Sequence, residues 1–123
     1  QIVARRRAIQ RQAALNRIGD KVPQADVVVT NPTELAVALQ YDPERMAAPI
    51  VVAKGAGVLA QRIRRLALEN GVPVVERKPL AQLLYNEVDV SQPIPDGSYG
   101  AVAEVLAYVY RLKGKKPPQS LVA

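Results

Sequence analysis

Asn31-Pro32-Thr33-Glu34 holds the residues of this 123-residue chain whose types and order could change a covalent bond. An asparagine usually degrades when the next backbone nitrogen attacks its side chain. Pro32 has no N–H and a ring-locked nitrogen, which closes that route. The reverse route stays open: the Asn31 side-chain amide attacks its own backbone carbonyl, forms a succinimide and expels Pro32 as a new N-terminus. A turn that holds Asn31 in the attack geometry would cut the chain by proximity. The same tetrapeptide is also an ordinary type I turn signal, with Asn at the first position and Pro pre-setting φ at the second.

Ring closure needs a base for the amide proton and an acid for the departing Pro32 nitrogen. An imidazole, titrating at about 6.5, exchanges protons both ways near neutrality. The chain has no histidine. Glu34 is the candidate base; a glutamate carboxyl, at about 4.3 in peptides, is weaker by roughly two units and almost always ionised at neutral pH. It can align a water or hydrogen-bond the turn, or stand as an exposed loop carboxylate. Thr33 offers a hydroxyl to the turn backbone, or serves as a plain strand-entry residue. No other constellation competes. With no cysteine and no histidine, thiol chemistry, ordinary zinc sites and a Ser-His-Asp triad are excluded, and no metal or cofactor is expected. Lys54-Gly55-Ala56-Gly57 lacks the spacing of a phosphate loop. Glu69, Glu76 and Glu87 lack metal-ligand spacing and read as solvated.

The elements that must position this turn follow from hydrophobic periodicity. Residues 3–18 are rich in Ala, Arg and Gln and predict a helix with a weak apolar face, ended by Val22-Pro23. Strands are expected over 25–30, 35–41, 49–53 and 72–75, placing residues 31–34 between the first two. Residues 41–48 form a polar loop. A helix over 57–70 carries Leu59, Ile63, Leu66 and Ala67 on one face and ends at Asn70-Gly71. Lys78-Pro79 starts a short helix burying Leu80, Leu83 and Leu84. After a proline-bearing loop over 90–97, a helix over 98–112 stripes Tyr99, Val102, Leu106 and Val109, widened by Val105 and Tyr110. Gly114 and Pro117-Pro118 stop it and leave a disordered tail. This alternation predicts an α/β domain with helices covering a small sheet.

Composition supports one domain: 49% apolar residues, with five tyrosines as the aromatics, give a single aliphatic core. Three segments are expected: a basic helix over 1–22, a globular domain over 23–112 and the tail over 113–123. Charge is uneven. Residues 1–22 carry +5, residues 111–123 carry +4 and residues 23–110 carry −3. The basic arm suits a membrane-proximal linker beside an anionic cytoplasmic leaflet, a solvated helix, or a nucleic-acid contact that lacks stacking aromatics. The longest apolar runs, such as residues 47–53, fall far short of the roughly 20 residues of a membrane span. Starting at Gln1, the chain reads as a fragment.

Residues 25–33 (ADVVVTNPT) with 35–39 (LAVAL) resemble the C-terminal cytoplasmic domain of the FlhB/YscU family of type III export switch proteins. The resemblance continues through Tyr41-Asp42, residues 46–55 (MAAPIVVAKG), 71–75 (GVPVV), 79–81 (PLA), Leu84-Tyr85, Ile94-Pro95 and 99–110 (YGAVAEVLAYVY), covering about residues 1–112. Two of these blocks, residues 46–49 and 101–110, resemble the flagellar branch. The resemblance implies a four-stranded sheet surrounded by helices, behind a long basic linker helix and a multi-span membrane domain before residue 1. It places the domain on the cytoplasmic face of the bacterial inner membrane. It implies docking of export substrates, contact with export apparatus components and a hook-length control protein, and no nucleic acid. Cleavage between Asn31 and Pro32, helped by Thr33 and position 34, would accompany the change from rod and hook substrates to filament substrates. Where the family motif reads Asn-Pro-Thr-His, this chain has Glu34, which predicts slow or absent self-cleavage. A cleavage-dead docking scaffold and a small basic nucleic-acid binder are the competing readings.

Overall fold

The computed structural model describes residues 1–32 and 34–122. Four strands, β1 (Val27–Asn31), β2 (Leu35–Gln40), β3 (Ile50–Ala56) and β4 (Val74–Glu76), form a mixed sheet in the order β3-β2-β1-β4. Among the described residues the α-helices are α1 (Ile2–Lys21), α2 (Val58–Glu69), α3 (Lys78–Glu87) and α4 (Tyr99–Leu112). Strand β1 runs antiparallel to β2 and parallel to β4, and β2 runs antiparallel to β3. The expected α/β architecture, a small four-stranded sheet surrounded by helices behind a long basic helix, is the one found.

Helices cover both faces of the sheet, so β1 is a run of valines rather than an alternating strand. Val27 and Val29 join Val37, Leu39 and Val51 in a core with α3 and α4. Val28 joins Ala36, Ala38 and Val52 in a second core with α2 and the end of α1. The alternation of side chains along a strand puts Asn31 on the α3/α4 face and Thr30 on the α2 face.

Boundaries differ from the sequence reading where tertiary contacts extend an element. Strand β3 runs to Ala56 rather than residue 53, because Lys54, Gly55 and Ala56 pair with Val37, Ala36 and Leu35. Between Ala38 and Leu39 the ladder slips by a residue, and this bulge sends both Val52 and Ala53 into the second core. Strand β4 starts at Val74, two residues late, since Pro73 has no N–H to pair; its carbonyl accepts the Val28 N–H at 2.9 Å. Helix α1 continues to Lys21 because Ile18 and Val22, four residues apart, are buried on the second core. The rest of its length is exposed or half-buried, and none of the described helices is long and apolar enough to cross a membrane.

The disordered tail expected over residues 113–123 needs correction over its described residues, 113–122. Helix α4 ends in a Schellman arrangement, with Lys115 N–H donating to the Tyr110 carbonyl and Gly114 N–H to the Arg111 carbonyl. The chain then returns across α4. Leu121 is 6% exposed within the α3/α4 core. Tyr41 Oη donates to Ser120 Oγ at 2.8 Å, and Tyr99 Oη to the Ser120 carbonyl at 3.2 Å. A single buried leucine and two distant tyrosines outweigh the local bias of a polar, proline-bearing segment. Leu121→Ala is therefore expected to lower stability by about 2 kcal/mol, at the low end for a buried leucine, as read by urea unfolding. A truly disordered tail would show no change.

Where β1 begins, Asp26 Oδ2 accepts the Tyr41 N–H at 2.7 Å. Partial burial raises the Asp26 carboxyl above the ordinary aspartate range, against the lowering effect of that hydrogen bond and of nearby Lys113. With the folded value above the unfolded one, the folded state binds more protons within that window, and stability falls as pH rises through it. Asp26→Asn keeps an acceptor oxygen and removes the charge. It is expected to be more stable than the parent at pH 7, the two converging at about pH 3, in paired urea melts.

Candidate functional site

The β1–β2 connection is three residues long, Pro32, Thr33 and Glu34, bracketed by the paired Asn31 and Leu35. Thr33 lies outside the described residues. Glu34 N–H donates to the Asn31 carbonyl at 3.1 Å, the i to i+3 bond of a β-turn. Upstream, the Thr30 carbonyl accepts the Arg77 N–H at 2.9 Å, so β1 is tied to the β4–α3 junction up to the residue before Asn31. Downstream, the Glu34 carbonyl accepts the Gly57 N–H at 3.0 Å.

Asn31 is 7% exposed, Pro32 is half-buried and Glu34 is exposed. A buried amide needs a partner. Asn31 Nδ2 finds one in Glu34 Oε2, at 3.3 Å. Glu34 thus meets Asn31 twice: its carboxylate faces the amide nitrogen and its N–H faces the carbonyl oxygen. A carboxylate at the nucleophilic nitrogen is placed to take its proton. A donor at the carbonyl oxygen is placed to stabilise negative charge as that carbon becomes tetrahedral. The sequence-predicted residues Asn31, Pro32 and Glu34 are therefore brought together, with an ordinary β-turn as the geometry that does it. Among the described residues, no side-chain donor is hydrogen-bonded at the Asn31–Pro32 bond, and the ion pair present, Arg45 with Asp42 at 3.7 Å, lies elsewhere.

The other candidates resolve as structure. Lys54 turns its ammonium to the end of α3, donating to the Tyr85 carbonyl at 2.8 Å and the Val88 carbonyl at 2.9 Å, with the Tyr85 ring 5.2 Å away. A cation there satisfies helix-end carbonyls and the negative end of the dipole. Sequence reasoning missed this because Lys54 and Tyr85 are 31 residues apart. Glu69, Glu76 and Glu87 are exposed, and the described residues hold no carboxylate group arranged for a metal ion.

Comparison with known proteins bears on the family and the overall fold. The family described as "FlhB HrpN YscU SpaS Family" matches residues 1–109. The chain is 53% identical over 119 residues to the flagellar biosynthetic protein FlhB of Salmonella typhimurium, an alignment that takes in 92% of this chain and 31% of that protein. It is 49% identical over 106 residues to FlhB of Bacillus subtilis, taking in 86% of this chain and 29% of that protein. The chain thus spans under a third of the length of these relatives. Among solved structures, the cytoplasmic domain of FlhB from Shewanella putrefaciens superposes with a TM-score of 0.76 at 39% identity, covering 88% of this chain and 95% of that one. A mutated EscU C-terminal domain superposes with a TM-score of 0.73 at 28% identity, covering 75% and 92%.

The Asn31–Glu34 contact makes a prediction independent of any cleavage. Asn31→Asp sets a second carboxylate against Glu34 at a buried position. Stability at neutral pH is expected to fall by about 1–3 kcal/mol, with the deficit shrinking in acid as one of the pair takes a proton. Urea unfolding across pH reads both. An unchanged neutral-pH stability would mean that the contact is not held in solution.

Proposed function

The chain belongs to the FlhB HrpN YscU SpaS family, and on that premise we propose that it is the cytoplasmic switch module of a flagellar type III export apparatus. In this reading it docks export substrates and other apparatus components, including a hook-length control protein, at the cytoplasmic face of the inner membrane. The basic arm of α1 leads toward the membrane, and a slow cut between Asn31 and Pro32 accompanies the change from rod and hook substrates to filament substrates.

The observation that carries the cleavage reading is the double contact of Glu34 with Asn31, at 3.3 Å on the amide nitrogen and 3.1 Å on the carbonyl oxygen. The Asn31 Nδ2 bonds to its own backbone carbonyl carbon while Glu34 takes a proton from that nitrogen. The carbon–nitrogen bond to Pro32 then breaks, with its electron pair going to the Pro32 nitrogen, which takes a proton from water. The upstream piece ends in a succinimide, and the downstream piece begins with a secondary amine. Water later opens the ring. The process is a single turnover, with the chain as its own substrate.

A second reading, a docking scaffold that never cuts, is favoured by one observation: with no histidine in the chain, no imidazole is present to exchange protons both ways near neutral pH between Asn31 and Pro32. Denaturing intact-mass spectrometry after incubation at neutral and alkaline pH separates the two. Slow appearance of residues 1–31, first one water lighter than the free acid, together with residues 32–123 is expected. Asn31→Ala is expected to give none of either. Glu34→Gln should slow the cut about tenfold or more, and Glu34→His should speed it by a similar factor, within the usual range for proton transfer by a placed side chain. A parent rate in Glu34→Gln would remove Glu34 from the mechanism. A single full-length mass under every condition would leave the scaffold reading.

A further inference from the structure

Lys54-Gly55-Ala56-Gly57 is no phosphate loop, yet its last glycine touches the cleavage turn. Beyond the Leu35–Ala56 pair the β2–β3 ladder continues by one bond, from the Gly57 N–H to the Glu34 carbonyl at 3.0 Å. With Glu34 N–H already committed to Asn31, this second bond fixes the Glu34 backbone at both ends. Gly57 sits at φ 58° and ψ −121°, a conformation that an L-residue avoids through its Cβ. The chain must turn there. Strand β3 gives way to α2, whose Gln61 N–H donates back to the Gly57 carbonyl at 3.1 Å. The first turn of α2 lies so close to the strand that a Cβ on Gly55 would come within 2.7 Å of Leu59 Cβ. A Cβ on Gly57 meets no atom within 4 Å, so the demand there is purely one of backbone handedness.

We propose that Gly57 is a positioning residue for the Asn31 reaction: its left-handed backbone aims its N–H at the Glu34 carbonyl and thereby holds the Glu34 carboxylate against the Asn31 amide. The proposal rests on the cleavage reading for its effect on rate, but its geometric half stands apart from it. Gly57 touches neither the attacking nitrogen nor the breaking bond, and it acts through Glu34 alone.

Three versions of position 57 test this. Gly57→Ala opposes the required φ. A semisynthetic chain with D-alanine at that position adopts positive φ without strain, and a backbone ester there deletes the N–H while leaving the side chain absent. Two readouts are taken: the cleavage rate by intact mass, and the pH titration of the Asn31 side-chain amide signals by NMR, which follows the Glu34 carboxylate whether or not the chain is cut. The L-alanine and ester chains are expected to cleave at least tenfold more slowly than the parent and to lose the titration step at Asn31. The D-alanine chain is expected to keep both within about threefold of the parent. Should the L-alanine chain fail to fold, the ester and D-alanine chains decide. If the parent never cleaves but its Asn31 signals follow Glu34 and lose that coupling in the L-alanine or ester chain, the positioning role stands and the cleavage reading falls. Parent-like behaviour of the ester chain overturns the proposal, as does equal loss in the D- and L-alanine chains or absence of the coupling in the parent.

Discussion

Strand β1 is hydrogen-bonded on both sides, to β2 and to β4, and all five of its residues are buried. That constraint governs the turn. Because the strand keeps its pairing to its last residue, Asn31 enters the turn with its carbonyl and side chain already removed from water. A buried carboxamide without partners costs about 1–3 kcal/mol. Glu34 satisfies both groups from three residues away, leaving no buried side-chain polar atom unpartnered among the described residues. The contact that would start the chemistry is therefore the contact that the fold needs for stability.

The position of the turn also decides what a cut would do. Residues 1–31 carry α1 and β1, and residues 32–123 carry the rest of the sheet and the remaining helices. Strand β1 lies in the interior of the sheet, with Val27 and Val29 in one core and Val28 in the other. Pulling it out would break two ladders and expose two apolar faces, so the pieces stay joined after the backbone is severed. What changes is local. Pro32 becomes a charged amine, and the Glu34 N–H loses an intact peptide carbonyl as its acceptor. The alteration falls on the surface and mobility of one loop rather than on the fold.

Much of this was legible in the sequence, and the failures share a cause. The valine run of β1, the turn signal at Asn31-Pro32 and the stripes of α2 and α4 are local patterns, and the structure follows them. Strand β3 looked finished at Ala53 because Lys54 and Gly55 are poor strand residues; their pairing with β2 and the Lys54 bonds to α3 carbonyls lie far off in sequence. The tail looked disordered because its polarity hides the one leucine that reaches the core. The register of Glu34 against Asn31 was foreseeable as a turn, whereas the Gly57 bond that fixes it depends on where a distant strand ends. Periodicity reports which faces are apolar; it carries no information on which loop a strand end will meet.

Replacing an imidazole by a carboxylate divides the chemistry unequally. In the proposed reaction Glu34 would serve the first half, its carboxylate 3.3 Å from the amide nitrogen and its N–H 3.1 Å from the carbonyl oxygen. The second half needs a proton on the Pro32 nitrogen, and the hydrogen bonds that Glu34 makes within the turn go to Asn31. In the proposed reaction this placement would assist ring closure more than expulsion, so a tetrahedral adduct would revert more often than it breaks. Under that proposal the turn would act as a slow clock, paced in part by delivery of a proton from water. Its timing then depends on how steadily the turn is held, and the sheet pairing behind it supplies that steadiness from both ends.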